Sequence, residues 1–565
     1  MSAASDSTST SDASAVTVLA RYPLQCADDT SLRRIESPMH LGPFDQVVPP
    51  FVPIAVVFVY RPEATPSSPS PSPSPPNSGS ELIPIERLHR ALAHLLDYYP
   101  HLTGRIAFNP QDQTPEIDRL GTGAELVSAQ CDAPLEAFHA AAAAPSDDDD
   151  DDGAAPRLLV LNLPGAGGNA LLAPFDPSME GVCRDPILTV QHTRFACGGV
   201  ALGVRLLHMV CDADGFFQFV RDLAELYRAL RAADAAGTGA PVQLRRPPHI
   251  QSYLTDLCER MRPEEREAAL AFKPSVFELD EATPPAPAAS EAPSAEPPLQ
   301  TAAAPAPAPP ITGRVLRFAA RELEALKAEA NASASGGAQQ QLSTFDALSA
   351  HLWQCVYRAR LRLCESRGMS ASAAALHVSR DFLTSVNWRG PSRLDLPARY
   401  FPNCIFCPFF SLPADRLADA PLASVAAAVH DAVRSLSRQE ALQSLHWIAA
   451  QPNKRRVRLG FRFEAGSFLV SQWCKFDMYR GAEFDSLPTL VSPPFTPISL
   501  VDGLAYFVAT EDQLRQSTAD DSTEEGQNPS AGATTGSIDV NLSLSEPLWA
   551  ILDRDERFRQ YSKQG

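Results

Sequence analysis

His208 and Asp212 stand four residues apart in the run His208-Met209-Val210-Cys211-Asp212-Ala213-Asp214-Gly215. An imidazole that is neutral near pH 7 takes a proton from a hydroxyl or amine as it attacks a carbonyl, and such general-base help is worth roughly 10²–10⁴ in rate. An aspartate at this spacing holds the loop through a buried ion pair. The same two residue types also describe a satisfied histidine beside a loop carboxylate, so spacing alone leaves both readings open. A metal set of His208, Asp212 and Asp214 lacks a further imidazole or thiolate, because Cys211 points away whenever His208 faces a cleft. Cys404 and Cys407 form a Cys-x-x-Cys pair with no second pair or histidine cluster to complete four zinc ligands. No metal is expected.

The elements around these residues fix where they point. Val200 to Leu207 reads as an apolar strand with one arginine, and Phe216 to Leu230 turns amphipathic, with Phe219, Val220, Leu223, Leu226 and Tyr227 on one face. His208 therefore sits at a strand end, where Gly215 permits a tight turn before the helix. Upstream, Val52 to Tyr60 is a continuous β-branched and aromatic run, as in a strand buried on both faces. Residues 85 to 98 carry Ile85, Leu88, Leu92, Leu95 and Leu96 at helical spacing. Farther on, Arg314 to Phe318 predicts a strand and Arg321 to Ala330 a short helix. Ser343 heads another helix with Asp346 at the capping-box position. Both halves read as α/β.

A chain of 565 residues is too long for one core and predicts two domains. Apolar residues make up 44% and charged residues 20%, enough to bury a sizeable interior. The net charge of -19 repels phosphate backbones and disfavours nucleic-acid binding, although six of those charges are the run Asp147 to Asp152. The apolar stretch Phe51 to Tyr60 is far short of the roughly 20 residues of a spanning helix, and the N-terminus has neither the basic nor the apolar part of a secretory signal. No membrane span and a cytoplasmic location are expected, with the 11 cysteines as free thiols. Inserts are expected at 62–80, rich in Ser and Pro, at 139–157, and at about 515–537. An Ala/Pro-rich linker at 281–310 divides an N-terminal domain, 1–280, from a C-terminal one, 311–565.

The chain resembles the BAHD acyltransferases, acyl-CoA-dependent enzymes of plant and fungal specialised metabolism, and within them the fungal branch of trichothecene O-acetyltransferase-like proteins. The likeness runs nearly end to end. Leu41-Gly-Pro-Phe-Asp45-Gln resembles the family's opening segment, and Leu88 through Tyr99-Pro100 to Gly104-Arg105 its first helix and following strand. Gln191-x-Thr193-x-Phe195-x-Cys197-Gly198-Gly199, then Leu202-Gly203, precedes the His-x-x-x-Asp element as it does there. Ser343 to Trp353 resembles the helix opening the second half. Val386-Asn387-Trp-Arg389 with Ser392-Arg393-Leu394, and Tyr400-Phe401-Pro-Asn403, resemble the Asn-x-Arg-x-Arg-Leu and Tyr-Phe-Gly-Asn segments, with two residues inserted and Pro402 in place of glycine.

The resemblance implies a two-domain chloramphenicol-acetyltransferase-like fold, each domain a mixed sheet with covering helices, and a tunnel meeting at His208. It implies that His208 is the general base and that Asp212 is structural and paired with Arg389 or Arg393, which the insertion leaves undecided. Ser471-Gln-Trp473 resembles the strand on the acceptor side, with Ser471 a donor to the oxyanion and Trp473 a wall; Gly215 is counted with the substrate-binding residues. Acyl-CoA is the co-substrate, no permanent cofactor is needed, the acceptor is a small alcohol or amine, and a monomer is expected. CoA phosphates call for a local positive site, and Lys454, Arg455 and Arg456 begin the densest basic run, which equally reads as a solvated loop. Two features depart from the family. Glu483-Phe484-Asp485-Ser486-Leu487-Pro488 stands where Asp-Phe-Gly-Trp-Gly is usual, and Ala213 follows the aspartate in place of glycine. The degraded loop keeps a silent binding protein open as a rival, beside condensation-type transfer from a carrier protein.

Overall fold

The computed structural model describes residues 16–62, 81–140, 157–237, 239, 241–280, 309–332, 341–516 and 536–564. Most of the expected inserts (63–80, 141–156 and 517–535) and residues 281–308 of the linker lie outside the described residues.

Two large sheets organise the chain. The first has six strands in the order Val16–Leu24, Ala124–Cys131, Leu188–Phe195, Val200–Leu207, Pro53–Tyr60, Leu490–Ser492. Every residue of Val200–Leu207 is buried, which explains its unbroken apolar character. The helices Ile85–Leu96 and Ala213–Ala236 pack together over this sheet through Leu88, Leu92, Leu95, Phe219, Leu223 and Tyr227. The second helix starts at Ala213, three residues before its apolar stripe, because the Asp212 carboxylate accepts the Gly215 N–H and caps it. Its far end stops at Gly237, in the left-handed region at φ 62°.

The second sheet is mixed, with seven strands in the order Phe409–Ser411, Asp381–Thr384, Phe468–Gln472, Leu504–Ala509, Ile538–Ser545, Ile311–Phe318, Lys563–Gln564. The helix Thr344–Ser366 covers it, and its predicted capping box is formed: Asp346 accepts the Ser343 N–H, and Ser343 Oγ the Asp346 N–H.

The division at 281–310 does not separate the packing. Leu490–Ser492 pairs antiparallel with Pro53–Tyr60, and Trp473, Met478, Tyr479 and Phe484 are buried in the core of the first sheet. A third cluster joins Phe44, Val276 and Phe277 to Trp388, Tyr400 and Phe406. These apolar side chains of the second half pack against the first, so residues 473–492 share the N-terminal core.

Candidate active site

His208 ends the strand Val200–Leu207, and its backbone is held on both sides. Its N–H donates to the Val52 carbonyl at 3.3 Å, and its own carbonyl accepts from Asn403 Nδ2 at 2.9 Å. The ring is half-buried and lines a cavity of about 1140 Å³. Nδ1 is buried without a hydrogen-bond partner among the described residues, and Nε2 is the nitrogen left facing the cavity. Burial lowers the pKa of the imidazole; its own backbone, Asp212 and the Asn403 side chain pull the other way and lose. The ring is therefore neutral near pH 7. The cavity reaches solvent, since its lining includes the exposed residues Phe463, Arg434, Lys475 and Asp477.

Asp212 is 2% exposed. Its Oδ2 accepts from Arg389 Nη1 and from the Cys404 N–H, both at 2.8 Å, and its Oδ1 from Arg389 Nη2 at 2.8 Å and the Gly215 N–H at 3.2 Å. The partner arginine is thus Arg389, which also donates to the carbonyls of Tyr400 and Pro402. Burial opposes its charge, and Asp212 and Asp214 overcome that, raising its pKa. Arg393 lies apart: its guanidinium donates to the Asn387 carbonyl and sits over the Trp388 ring. With its bonds spent on the loop 389–404 and on the Gly215 N–H, Asp212 does not bond the His208 ring.

Ser471 and Trp473 both line the cavity. Trp473 Nε1 donates to Ser471 Oγ at 3.0 Å, so the serine's own O–H is free to point elsewhere. The indole is wedged edge-on against Phe217 and Tyr506 at 5.8 and 5.0 Å.

Two expectations are corrected. Gly215 does not line the cavity; it lies in the first turn of the helix, where a Cβ would stand 2.1 Å from the Phe401 carbonyl oxygen. Glycine there allows the close approach of the loop 399–404, not a turn or a ligand. Nor do Lys454, Arg455 and Arg456 reach the cavity. Lys454 is 1% exposed, with its ammonium on Asp112 at 3.0 Å and the Gln451 carbonyl at 2.6 Å. Arg455 covers the Phe108 ring and Arg456 the Asp280 carbonyl.

One pair escaped sequence reasoning. Asp45 is fully buried and accepts from the backbone and side chain of Asn403 at 3.1 and 2.8 Å and from Gly42 N–H at 3.2 Å. Burial raises its pKa to about 6 against these hydrogen bonds. The same Asn403 amide holds the His208 carbonyl, so Asp45 reaches the site through it. A lone acid inside the apolar segment Leu41–Gln46 was the available signal. Among the described residues no group of three or more His, Cys, Asp or Glu is arranged to hold a metal ion, and no helix is long and apolar enough to cross a membrane.

The family model named Transferase family matches residues 30–236 and 283–491. The chain belongs to that family, the BAHD acyltransferases. It is 29% identical over 440 residues to hydroxycinnamoyltransferase 2 of Oryza sativa subsp. japonica, covering 77% of this chain and 81% of the relative. To rosmarinate synthase of Plectranthus scutellarioides it is 28% identical over 401 residues, covering 70% and 74%. Among solved structures, F. graminearum TRI101 complexed with coenzyme A and deoxynivalenol aligns with TM-score 0.57 at 16% identity, covering 94% of this chain and 99% of that one. Vinorine synthase aligns at 0.56 and 15%, covering 97% and 99%. The fold is the two-domain mixed α/β one of these neighbours.

As a BAHD acyltransferase the chain is unusual at 483–488, and that loop is packed as a clamp. Phe484 is buried edge-on against Tyr60 and Tyr227, and Asp485 accepts from the Ile83 N–H and the Tyr227 hydroxyl, both at 2.7 Å. None of its residues lines the cavity. Ala213 is the first helical residue, so it needs no positive φ, and it lines the cavity.

Proposed function

We propose that this acyltransferase moves an acyl group from a CoA thioester to a hydroxyl or amine of a small acceptor, with His208 as the general base. His208 Nε2 removes the acceptor proton as the oxygen or nitrogen attacks the thioester carbonyl. Ser471 donates its free O–H to the oxyanion of the tetrahedral intermediate, where one such donor is worth on the order of 3 kcal/mol. The intermediate collapses, the carbon–sulfur bond breaks, and the imidazolium returns its proton to the CoA thiolate. Asp212 takes no proton; it ties the loop 389–404 to the helix behind the base.

The observation that carries the reading is a neutral imidazole on a solvent-connected cavity, its backbone fixed from both halves of the chain. The test compares the intact enzyme with His208→Ala for release of CoA thiol from mixed acyl-CoAs across a panel of alcohols and amines, with products weighed by mass spectrometry. Acceptor-dependent release by the intact enzyme alone is expected. Equal turnover by both forms removes the proposed base, and no turnover by the intact enzyme across a broad panel favours a silent scaffold.

A further inference from the structure

The residues expected to hold CoA phosphates are spent elsewhere, and the cavity must supply the charge from its own walls. Among the described residues five cations line it: Arg221, Arg389, Arg393, Arg434 and Lys475. Arg389 is committed to Asp212. Arg221 and Asp477 both flank Gly481, and Lys475 lies two residues from that carboxylate, so this part of the wall carries opposite charges side by side. Arg393 and Arg434 differ. Their hydrogen bonds go to neutral groups, the carbonyls of Asn387 and His430, and Arg393 lies over the Trp388 ring. The two guanidinium groups are near enough to repel: burial lowers the pKa of Arg393 and Arg434 lowers it further. Two like charges held near one another at the cavity lining attract a bound anion.

The neighbouring carboxylate does not fill that role. Asp346 lines the same cavity, but among the described residues its ion-pair contact is with His430, whose Nδ1 lies 3.0 Å from Oδ2; the same Oδ2 accepts the Ser343 N–H and hydroxyl, and neither arginine pairs with it. His430 links the two features, since its carbonyl receives Arg434 Nη1 at 3.1 Å.

Resting on the acyl-CoA reading above, we infer that Arg393 and Arg434 form the seat for the phosphate groups of the CoA donor. Arg393 is half-buried and Arg434 exposed, so replacing either leaves the core intact. The test is calorimetric titration of the full chain with CoA, with 3′-dephospho-CoA and with pantetheine, for the intact enzyme, Arg393→Gln, Arg434→Gln and the pair Arg221→Gln/Lys475→Gln. Each of the first two variants is expected to weaken CoA by about tenfold or more, as loss of one charge-assisted bond implies, and pantetheine by less than about twofold. A larger loss for CoA than for 3′-dephospho-CoA assigns the residue to the ribose phosphate, and equal losses assign it to the diphosphate. Unchanged CoA affinity in both variants, or a loss that appears in Arg221→Gln/Lys475→Gln instead, overturns the assignment while leaving the acyl-CoA reading standing. Failure of the intact chain to bind CoA overturns that reading, and this one with it.

Discussion

Replacing Asp212 by Ala separates the two roles that the His-x-x-x-Asp element combines. The carboxylate is 2% exposed and satisfies four donors, two of them on Arg389 at 2.8 Å. Removing it leaves the guanidinium buried among Tyr400, Pro402 and Cys404 with only Asp214, at 3.8 Å, as counter-charge, a loss approaching the about 3–5 kcal/mol of a broken buried pair. About 1 kcal/mol of this is the lost N-cap of Ala213–Ala236. With a urea slope of a few kcal/mol per molar for a chain of this size, the denaturation midpoint falls by on the order of 1 M. His208→Ala removes a half-buried ring whose buried Nδ1 has no partner among the described residues, so its midpoint stays near that of the intact enzyme while turnover is lost. The measurement is urea denaturation of both variants beside CoA-thiol release. If Asp212→Ala denatures at the intact midpoint and still loses turnover, Asp212 acts on the imidazole itself, and its assignment as a fastener of the loop is wrong.

Other outcomes follow from the same contacts. Ser471→Ala lowers kcat by about 100-fold with little change in KM, because the lost donor serves only the oxyanion; steady-state kinetics with one acyl-CoA checks this. Lys454→Met leaves CoA affinity unchanged by titration but lowers the denaturation midpoint, since its ammonium is sealed against Asp112 and Gln451. The acid limb of kcat/KM falls below the ordinary histidine value near 6.5, because burial lowers the pKa of His208 and keeps the base neutral to lower pH. His101 and His351 are pushed down to about 3 by burial, so below about 6.5 the unfolded chain binds protons that the folded chain refuses, and each costs about 1.4 kcal/mol per pH unit until pH 3. Asp45, raised to about 6, does the reverse and adds stability as pH falls from 6 toward 4. Denaturation midpoints at pH 7, 5.5 and 4.5 should fall on balance; a rise contradicts the burial of the two imidazoles.

The elements that local periodicity controls were legible. Ser343 with Asp346, the stripe at 85–98 and the run Val200 to Leu207 each declare their structure within one turn or one strand, and they form where expected. What the chain hid depends on contacts between residues far apart in sequence. Nothing local distinguishes Arg389 from Arg393, and the choice is made farther along the chain: the Tyr400 and Pro402 carbonyls accept from the first, and the Cys404 N–H donates to the same Asp212 carboxylate. Gly215 looked like a turn residue because its reason, the Phe401 carbonyl, lies 186 positions later. The basic run at 454–456 misled for a related cause: charge density in sequence ignores Asp112, which neutralises Lys454 from the other half of the chain.

The loop 389–404 explains why the two halves share a core instead of merely touching. It supplies Arg389 and the Cys404 N–H to Asp212, Asn403 to both Asp45 and the His208 carbonyl, and Arg399 to Asp222, nearly three helical turns beyond Asp212. Two ion pairs from one helix therefore hold the ends of the segment that backs the base. Its Asn403 holds the His208 carbonyl while Ser471 stands on a strand of the second sheet, so under the proposed mechanism proton removal and oxyanion support would both depend on these contacts. This arrangement makes Arg399→Ala a sharper probe of docking than any cavity residue. It breaks the pair with the buried Asp222 without touching the wall, and it should lower kcat and the denaturation midpoint together while leaving the affinity for pantetheine unchanged. A variant that keeps its midpoint and loses only pantetheine affinity would show that the loop shapes the cavity and does not hold the base.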